Sequence, residues 1–166
     1  MTSVEIREAR TSDVRIVRRL VDAYSSGRIL LSKATVTLFE DVQEFYVAEL
    51  DGVVVGCGAL HVLWEDLGEV RTLAVDQAHR GKGIGDLLLR RLLQQARHVG
   101  VNRVFCLTFE VDFFSRHGFS EIDGAPVSHE VFEALLESYD EGVAEFLDLE
   151  RVKPNTLGNA RMLLVL

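Results

Sequence analysis

The chain has 166 residues, enough for one domain and little room for a second. Hydrophobic residues make up 48% and charged residues 27%, which supports an ordinary core and argues against disorder. With 18 Lys and Arg against 26 Asp and Glu the net charge is −8, which excludes a general nucleic-acid binder and a polybasic membrane-surface protein.

The opening residues Met1–Arg7 lack the apolar stretch of a signal peptide. No apolar run approaches the roughly 18 residues of a membrane helix, so the expectation is a cytoplasmic protein with no membrane partner. Val4–Glu8 reads as a strand. Thr11 or Ser12 is placed to cap a helix carrying Val14, Val17, Leu20, Val21 and Tyr24 at helical spacing, which Ser25-Ser26-Gly27 ends. Ile29–Lys33 is an apolar loop closed by a cation, and Ala34–Asp41 a weak second helix. Phe45–Leu50 and Val53–Leu63 are strands joined by Asp51-Gly52, a two-residue hairpin signal. Glu69–Val75 is a strand, and Ile84–His98 the strongest helix, with Leu87, Leu88, Leu92, Leu93 and Ala96 assigned to one face. Arg103–Thr108 is a buried-type strand, Glu110–His117 a short helix ended by Gly118, and Phe119–Ile122 a strand. Ser128–Tyr139 is a helix capped by Ser128, and Arg161–Leu166 the closing strand. This order predicts a single mixed α/β domain over residues 1–166. Cys57 and Cys106, each inside an apolar stretch, read as buried reduced thiols, and the five histidines show no metal-ligand spacing, so no metal is expected.

Charge is unevenly spread. Arg71 to Arg103 holds seven basic and two acidic residues, whereas Glu121 to Glu150 holds ten acidic residues and no Lys or Arg. The acidic block reads as a solvated surface. The basic segment contains the chemistry. There a strand feeds Arg80-Gly81-Lys82-Gly83-Ile84-Gly85 into a helix N-terminus. Glycines admit phosphate oxygens close to backbone N–H groups, the helix start offers unpaired donors, and Arg80 and Lys82 add charge. This is a pyrophosphate cradle. It is not a Walker A loop, because Gly83 rather than Ser or Thr follows Lys82. Nor is it a dinucleotide fingerprint, because Asp86 stands where the third Gly belongs.

The combination of Arg80–Gly85 with Phe113-Phe114-Ser115-Arg116-His117-Gly118-Phe119 resembles the signatures of the GCN5-related N-acetyltransferase (GNAT) superfamily. Gly27–Lys33, Val55–His61, Leu67-Gly68-Glu69, Val104–Thr108, Lys153-Pro154-Asn155 and Asn159–Leu163 are similar to amino-acid N-acetyltransferases that make N-acetylglutamate, in the short stand-alone form of actinobacteria. The resemblance implies a mixed central sheet with a splayed parallel strand pair and helices on both faces. It implies acetyl-CoA as cosubstrate, held by the backbone at Leu73, Ala74 and Val75, by Arg80, Gly81, Lys82, Gly83, Ile84 and Gly85, and by Phe114. It implies Glu69 as general base, against the plain alternative of a carboxylate paired with Arg71. Most family members carry Tyr where Phe114 stands, and Phe donates no proton. Either another hydroxyl substitutes or the thiolate leaves unassisted into water. The resemblance implies Thr108 as the candidate acid, since it ends the second splayed strand at a hydroxyl position of the N-acetylglutamate-forming branch, against a strand-end hydroxyl bonding the backbone; Ser115 is the weaker candidate.

An acceptor with two carboxylates calls for facing cations. Lys33, Arg71 and Arg161 are the candidates, with Thr72, Leu107 and Asn159 beside them; a surface salt bridge is the alternative for each cation. The leading expectation is acetylation of the α-amine of L-glutamate, opening arginine biosynthesis, by direct attack in a ternary complex. The alternatives are another amine (glutamine, a small amine or a protein N-terminus) and a non-catalytic acyl-CoA sensor. The expected partner is a small molecule, and the resemblance is compatible with a homo-oligomer.

Overall fold

The computed structural model describes residues 3–25, 35–149, 152 and 158–166. The elements run β1 (Val4–Glu8), α1 (Val14–Ser25), α2 (Thr35–Glu40), β2 (Phe45–Leu50), β3 (Val53–Trp64), β4 (Leu67–Val75), α3 (Ile84–Val99), β5 (Arg103–Thr108), α4 (Val111–Arg116), β6 (Ser120–Ile122), α5 (His129–Leu135), α6 (Glu141–Phe146) and β7 (Ala160–Val165). The strands form one seven-stranded mixed sheet in the order β1-β2-β3-β4-β5-β7-β6. Its parallel pair is β4 with β5, and that ladder covers only Leu67↔Arg103, Gly68↔Val104 and Glu69↔Phe105, although β4 runs on to Val75 and β5 to Thr108.

The chain divides into two compact units, Met1–His61 with Val70–Val99, and Val62–Glu69 with Gly100–Leu166. In the first, β1, β2 and β3 pair antiparallel, and Asp51 and Gly52 both take positive φ at the hairpin tip, as the sequence predicts. Val14, Val17, Leu20, Leu38, Phe45, Val47, Cys57 and Ala59 bury together. On the opposite side of β3, Gly56 and Gly58 let α3 rest on bare backbone: a Cβ at Gly56 would sit 3.0 Å from Leu88 Cδ1, and one at Gly58 2.9 Å from Leu92 Cδ1. The buried stripe of α3 is Ile84, Leu88, Leu89, Leu92, Leu93 and Ala96, while Leu87 is exposed. This corrects the sequence assignment of Leu87: at 100° per residue it falls roughly 150° from the centre of the buried stripe, beyond the edge that Ile84 marks. The cap of the first helix is also different. Asp13, not Thr11 or Ser12, accepts the Arg10 N–H at 2.7 Å, and its carboxylate takes two further bonds from Arg7 at 2.8 and 3.0 Å.

In the second unit, β5, β7 and β6 pair antiparallel, and Leu63, Leu67, Phe105, Leu135, Val143, Phe146 and Leu147 form the core. Phe105 and Phe146 meet edge to face with ring centroids 4.9 Å apart. Ser128 caps α5 as expected, but the helix ends at Leu135 rather than Tyr139. Beyond the end of α5 the Ser138 Oγ accepts the Asp140 N–H, and Asp140 Oδ1 accepts the Val143 N–H and so caps α6, which the sequence reading missed.

Candidate active site

The first unit holds the loop after β4. Asp76 Oδ1 accepts the Ala78 N–H at 2.9 Å, and a single helical turn over Gln77–His79 follows. Gly81 and Gly83 take φ of +76° and +77°, with nothing within 4 Å of where a Cβ would stand. The Leu87 N–H donates to the Gly83 carbonyl at 3.1 Å, which sets Gly83 just before α3 and the amides of Ile84 and Gly85 in its opening turn. Ile84 buries its side chain and thereby anchors those amides, whereas Arg80 and Lys82 are exposed, Lys82 donating to His79 Nδ1 at 3.1 Å. Open space above two glycines, a row of donors and two cations suit a diphosphate of the CoA type. The role of Asp76 was missed in the sequence, although an Asp at a strand end is an Asx-turn signal.

Further back on β4, Arg71 is buried, and Leu73, Ala74 and Val75 follow Thr72. Thr72 has φ +58°, a left-handed conformation that a β-branched residue adopts at a cost of about 1–2 kcal/mol. The Cys57 thiol donates to the Thr72 carbonyl at 3.4 Å.

The second unit holds Glu69, Thr108 and the start of β7. Glu69 is 3% exposed and Thr108 8%. The Thr108 hydroxyl accepts the Glu110 N–H at 2.8 Å, and its own proton has no acceptor among the described residues. Cross-strand register sets Leu107 opposite Arg161 and Thr108 opposite Ala160, which brings Thr108, Leu107, Asn159 and Arg161 to one end of the β5–β7 pair. Asn159 Oδ1 is buried without a hydrogen-bond partner among the described residues. Arg161 donates through Nε to the Gly124 carbonyl at 2.8 Å, through one terminal nitrogen to Glu145 O at 3.4 Å and through the other to Phe146 O, with its guanidinium 5.0 Å from the Phe105 ring centroid. Burial lowers its pKa, and the carboxylates of Asp148 and Glu69 oppose that shift. Burial, helped by Glu69, pushes the Cys106 thiol up, so it stays protonated. Phe114 is buried against Phe113 and Phe119, with ring centroids 5.2 and 5.1 Å away. Ser115 is exposed. Lys33 lies outside the described residues, as do Gly27–Leu31 and Lys153–Asn155 of the sequence resemblance. Among the described residues no three His, Cys, Asp or Glu cluster as metal ligands, and no helix is long and apolar enough to cross a membrane.

Residues 15–119 match the profile of the Acetyltransferase (GNAT) family. The chain is 64% identical over 164 residues to the amino-acid acetyltransferase of Mycobacterium tuberculosis, covering 97% of this chain and 94% of that one. It is 34% identical over 125 residues to the amino-acid acetyltransferase of Shewanella oneidensis, an alignment covering 73% of this chain and only 28% of that longer protein. A crystal structure from Mycobacterium tuberculosis in complex with CoA and NLQ matches with a TM-score of 0.94 at 64% identity, over 98% of this chain and 99% of that one. The N-acetylglutamate synthase of Neisseria gonorrhoeae, complexed with coenzyme A and N-acetyl-glutamate, matches with a TM-score of 0.78 at 25% identity, over 99% of this chain and 35% of that one.

Proposed function

The chain belongs to the GNAT family of acetyltransferases, and on that premise we propose that it transfers the acetyl group of acetyl-CoA to the α-amine of L-glutamate. It is an acyltransferase enzyme with acetyl-CoA as donor. The observation that carries the acceptor is the likeness, over 99% of this chain, to a synthase holding CoA and N-acetyl-glutamate. The 64% identical amino-acid acetyltransferase supports an amino-acid acceptor. The reaction assigned here is the first step of arginine biosynthesis, in the cytoplasm.

Bound acetyl-CoA supplies an activated acetyl thioester. The chain's own groups do the rest. The amides opening α3, with Arg80 and Lys82, hold the diphosphate, and the backbone of Leu73, Ala74 and Val75 holds the arm that leads to the thioester. A free amino acid is an ammonium ion near neutral pH, and Glu69 takes the proton it must lose, directly or through water. The Leu73 N–H donates to the acyl oxygen as charge gathers there. The Thr108 hydroxyl, whose proton no described residue accepts, protonates the departing sulfur in place of the tyrosine that Phe114 replaces. Arg71, Arg161 and Lys33 bind the acceptor's carboxylates, with Thr72, Leu107 and Asn159 around them. A guanidinium has about five N–H donors; Arg161 spends three on Gly124, Glu145 and Phe146 and keeps the remaining two for a carboxylate.

The test is thiol release from acetyl-CoA by the purified protein, one amino acid at a time, glutamate and glutamine first. Saturating release with glutamate, and a product carrying one added acetyl group, supports the proposal. Saturation with glutamine instead overturns the acceptor. No release with any amino acid overturns the amino-acid reading.

A further inference from the structure

We propose that Cys57 is a positioning residue for acetyl transfer: its thiol braces β4 at Thr72 and thereby aims the Leu73 N–H. Two observations in the first unit carry this. Thr72 holds a positive φ inside a strand, which a β-branched residue does not adopt unless its surroundings impose it. The Cys57 Sγ–H donates to the Thr72 carbonyl at 3.4 Å.

The consequence follows from the peptide plane. The Thr72 carbonyl and the Leu73 N–H belong to one planar unit and point in opposite directions. Holding the carbonyl toward Cys57 on β3 turns the N–H away from β3. Cys57 has no exposed surface and is packed among Phe45, Val47, Ala59 and Ala74, so the brace does not swing. Burial pushes the thiol pKa up to about 12, which keeps the proton on sulfur throughout the working range. The role rests on the reading that the Leu73 N–H meets the acyl oxygen.

The experiment compares Cys57→Ser, which keeps a donor, with Cys57→Val, which fills the space without one. Thiol release is measured with whichever amino acid the wild-type enzyme uses, and the Leu73 amide is followed by 15N–1H spectroscopy. Loss of one such bond is expected to lower kcat of Cys57→Val by about three- to tenfold, with KM for acetyl-CoA within about twofold of wild type. Cys57→Ser is expected to keep kcat within about twofold, and only the valine variant to move the Leu73 signal. Glycine takes a positive φ without help, so in a Thr72→Gly background the valine effect is expected to shrink to under about twofold. Equal kcat in the serine and valine variants overturns the proposal. If the Leu73 signal has moved nevertheless, the brace exists and the assignment of Leu73 to the acyl oxygen falls with the proposal. If the signal has not moved, the brace fails and that assignment stands.

Discussion

Replacing Thr108 by valine removes one oxygen and keeps the outline of the side chain, so it separates two jobs that the hydroxyl could hold. The structural job is visible: Oγ1 accepts the Glu110 N–H at 2.8 Å. Losing one neutral hydrogen bond costs about 1 kcal/mol, which in a chain of this size lowers the melting temperature by about 2–4 °C. The chemical job is proton donation to the departing sulfur. General acids contribute about 10²–10⁴-fold. A thiol of pKa about 8.5 is a tolerable leaving group near neutral pH, which sets the expectation at the low end, about 10² in kcat. The assay is kcat at saturating acetyl-CoA and amino acid beside a thermal melt, with Thr108→Ser as the control that keeps the hydroxyl. Serine is expected to retain kcat within about fivefold. A valine variant that melts a few degrees lower yet turns over within about threefold of wild type refutes the acid role and leaves Thr108 as a strand-end hydroxyl serving Glu110.

Three further outcomes are expected. Asp13→Asn removes a carboxylate that accepts from Arg7 twice and from the Arg10 N–H, with side-chain exposures of 18% for Arg7 and 7% for Asp13; urea unfolding at pH 7 is expected to show a loss of about 2–3 kcal/mol. The Arg7 guanidinium holds the folded Asp13 carboxyl below its ordinary value, so its stabilisation is full above about pH 4 and fades as the pH falls through the folded pKa; an equal loss at pH 2 would contradict this. Lys82→Ala and Arg80→Ala are each expected to raise KM for acetyl-CoA several-fold while leaving KM for the amino acid unchanged, with the effect shrinking as salt is raised; steady-state kinetics at about 0.02 and 0.5 M salt check it. Arg161→Lys replaces a planar fork bonded to three carbonyls by a point charge and is expected to lower the melting temperature of the substrate-free protein by about 3–6 °C; a rise in acceptor KM with no change in melting would assign Arg161 to substrate alone.

What the sequence showed depended on whether the cause was local. The Asp51-Gly52 tip and the capping Ser128 lie within the segments they shape, and both form as expected. The turn at Gly81 and Gly83 was legible because residues without a Cβ take a positive φ freely. The end of α5 at Leu135 and the whole of α6 were missed, because apolar spacing was read on to Tyr139 and the capping Asp140 was passed over. The left-handed Thr72 was out of reach, since its brace is a thiol 15 positions earlier on a neighbouring strand. So was the anchoring of Arg161, whose acceptors come from 15 to 37 positions away.

Gly56 and Gly58 bind the history of β3 to that of α3. A methyl group at Gly58 would stand 2.9 Å from Leu92 Cδ1 and 3.0 Å from Leu73 Cδ1, and one at Gly56 3.0 Å from Leu88 Cδ1 and 3.3 Å from the Ala74 carbonyl. A side chain at either glycine therefore requires its neighbours to move. A lineage in which alanine replaces Gly58 is expected to carry a smaller residue in place of Leu92, as a paired change. At Gly56 part of the obstacle is main chain, which no compensating substitution removes, so that position is expected to vary less than its neighbour two residues on.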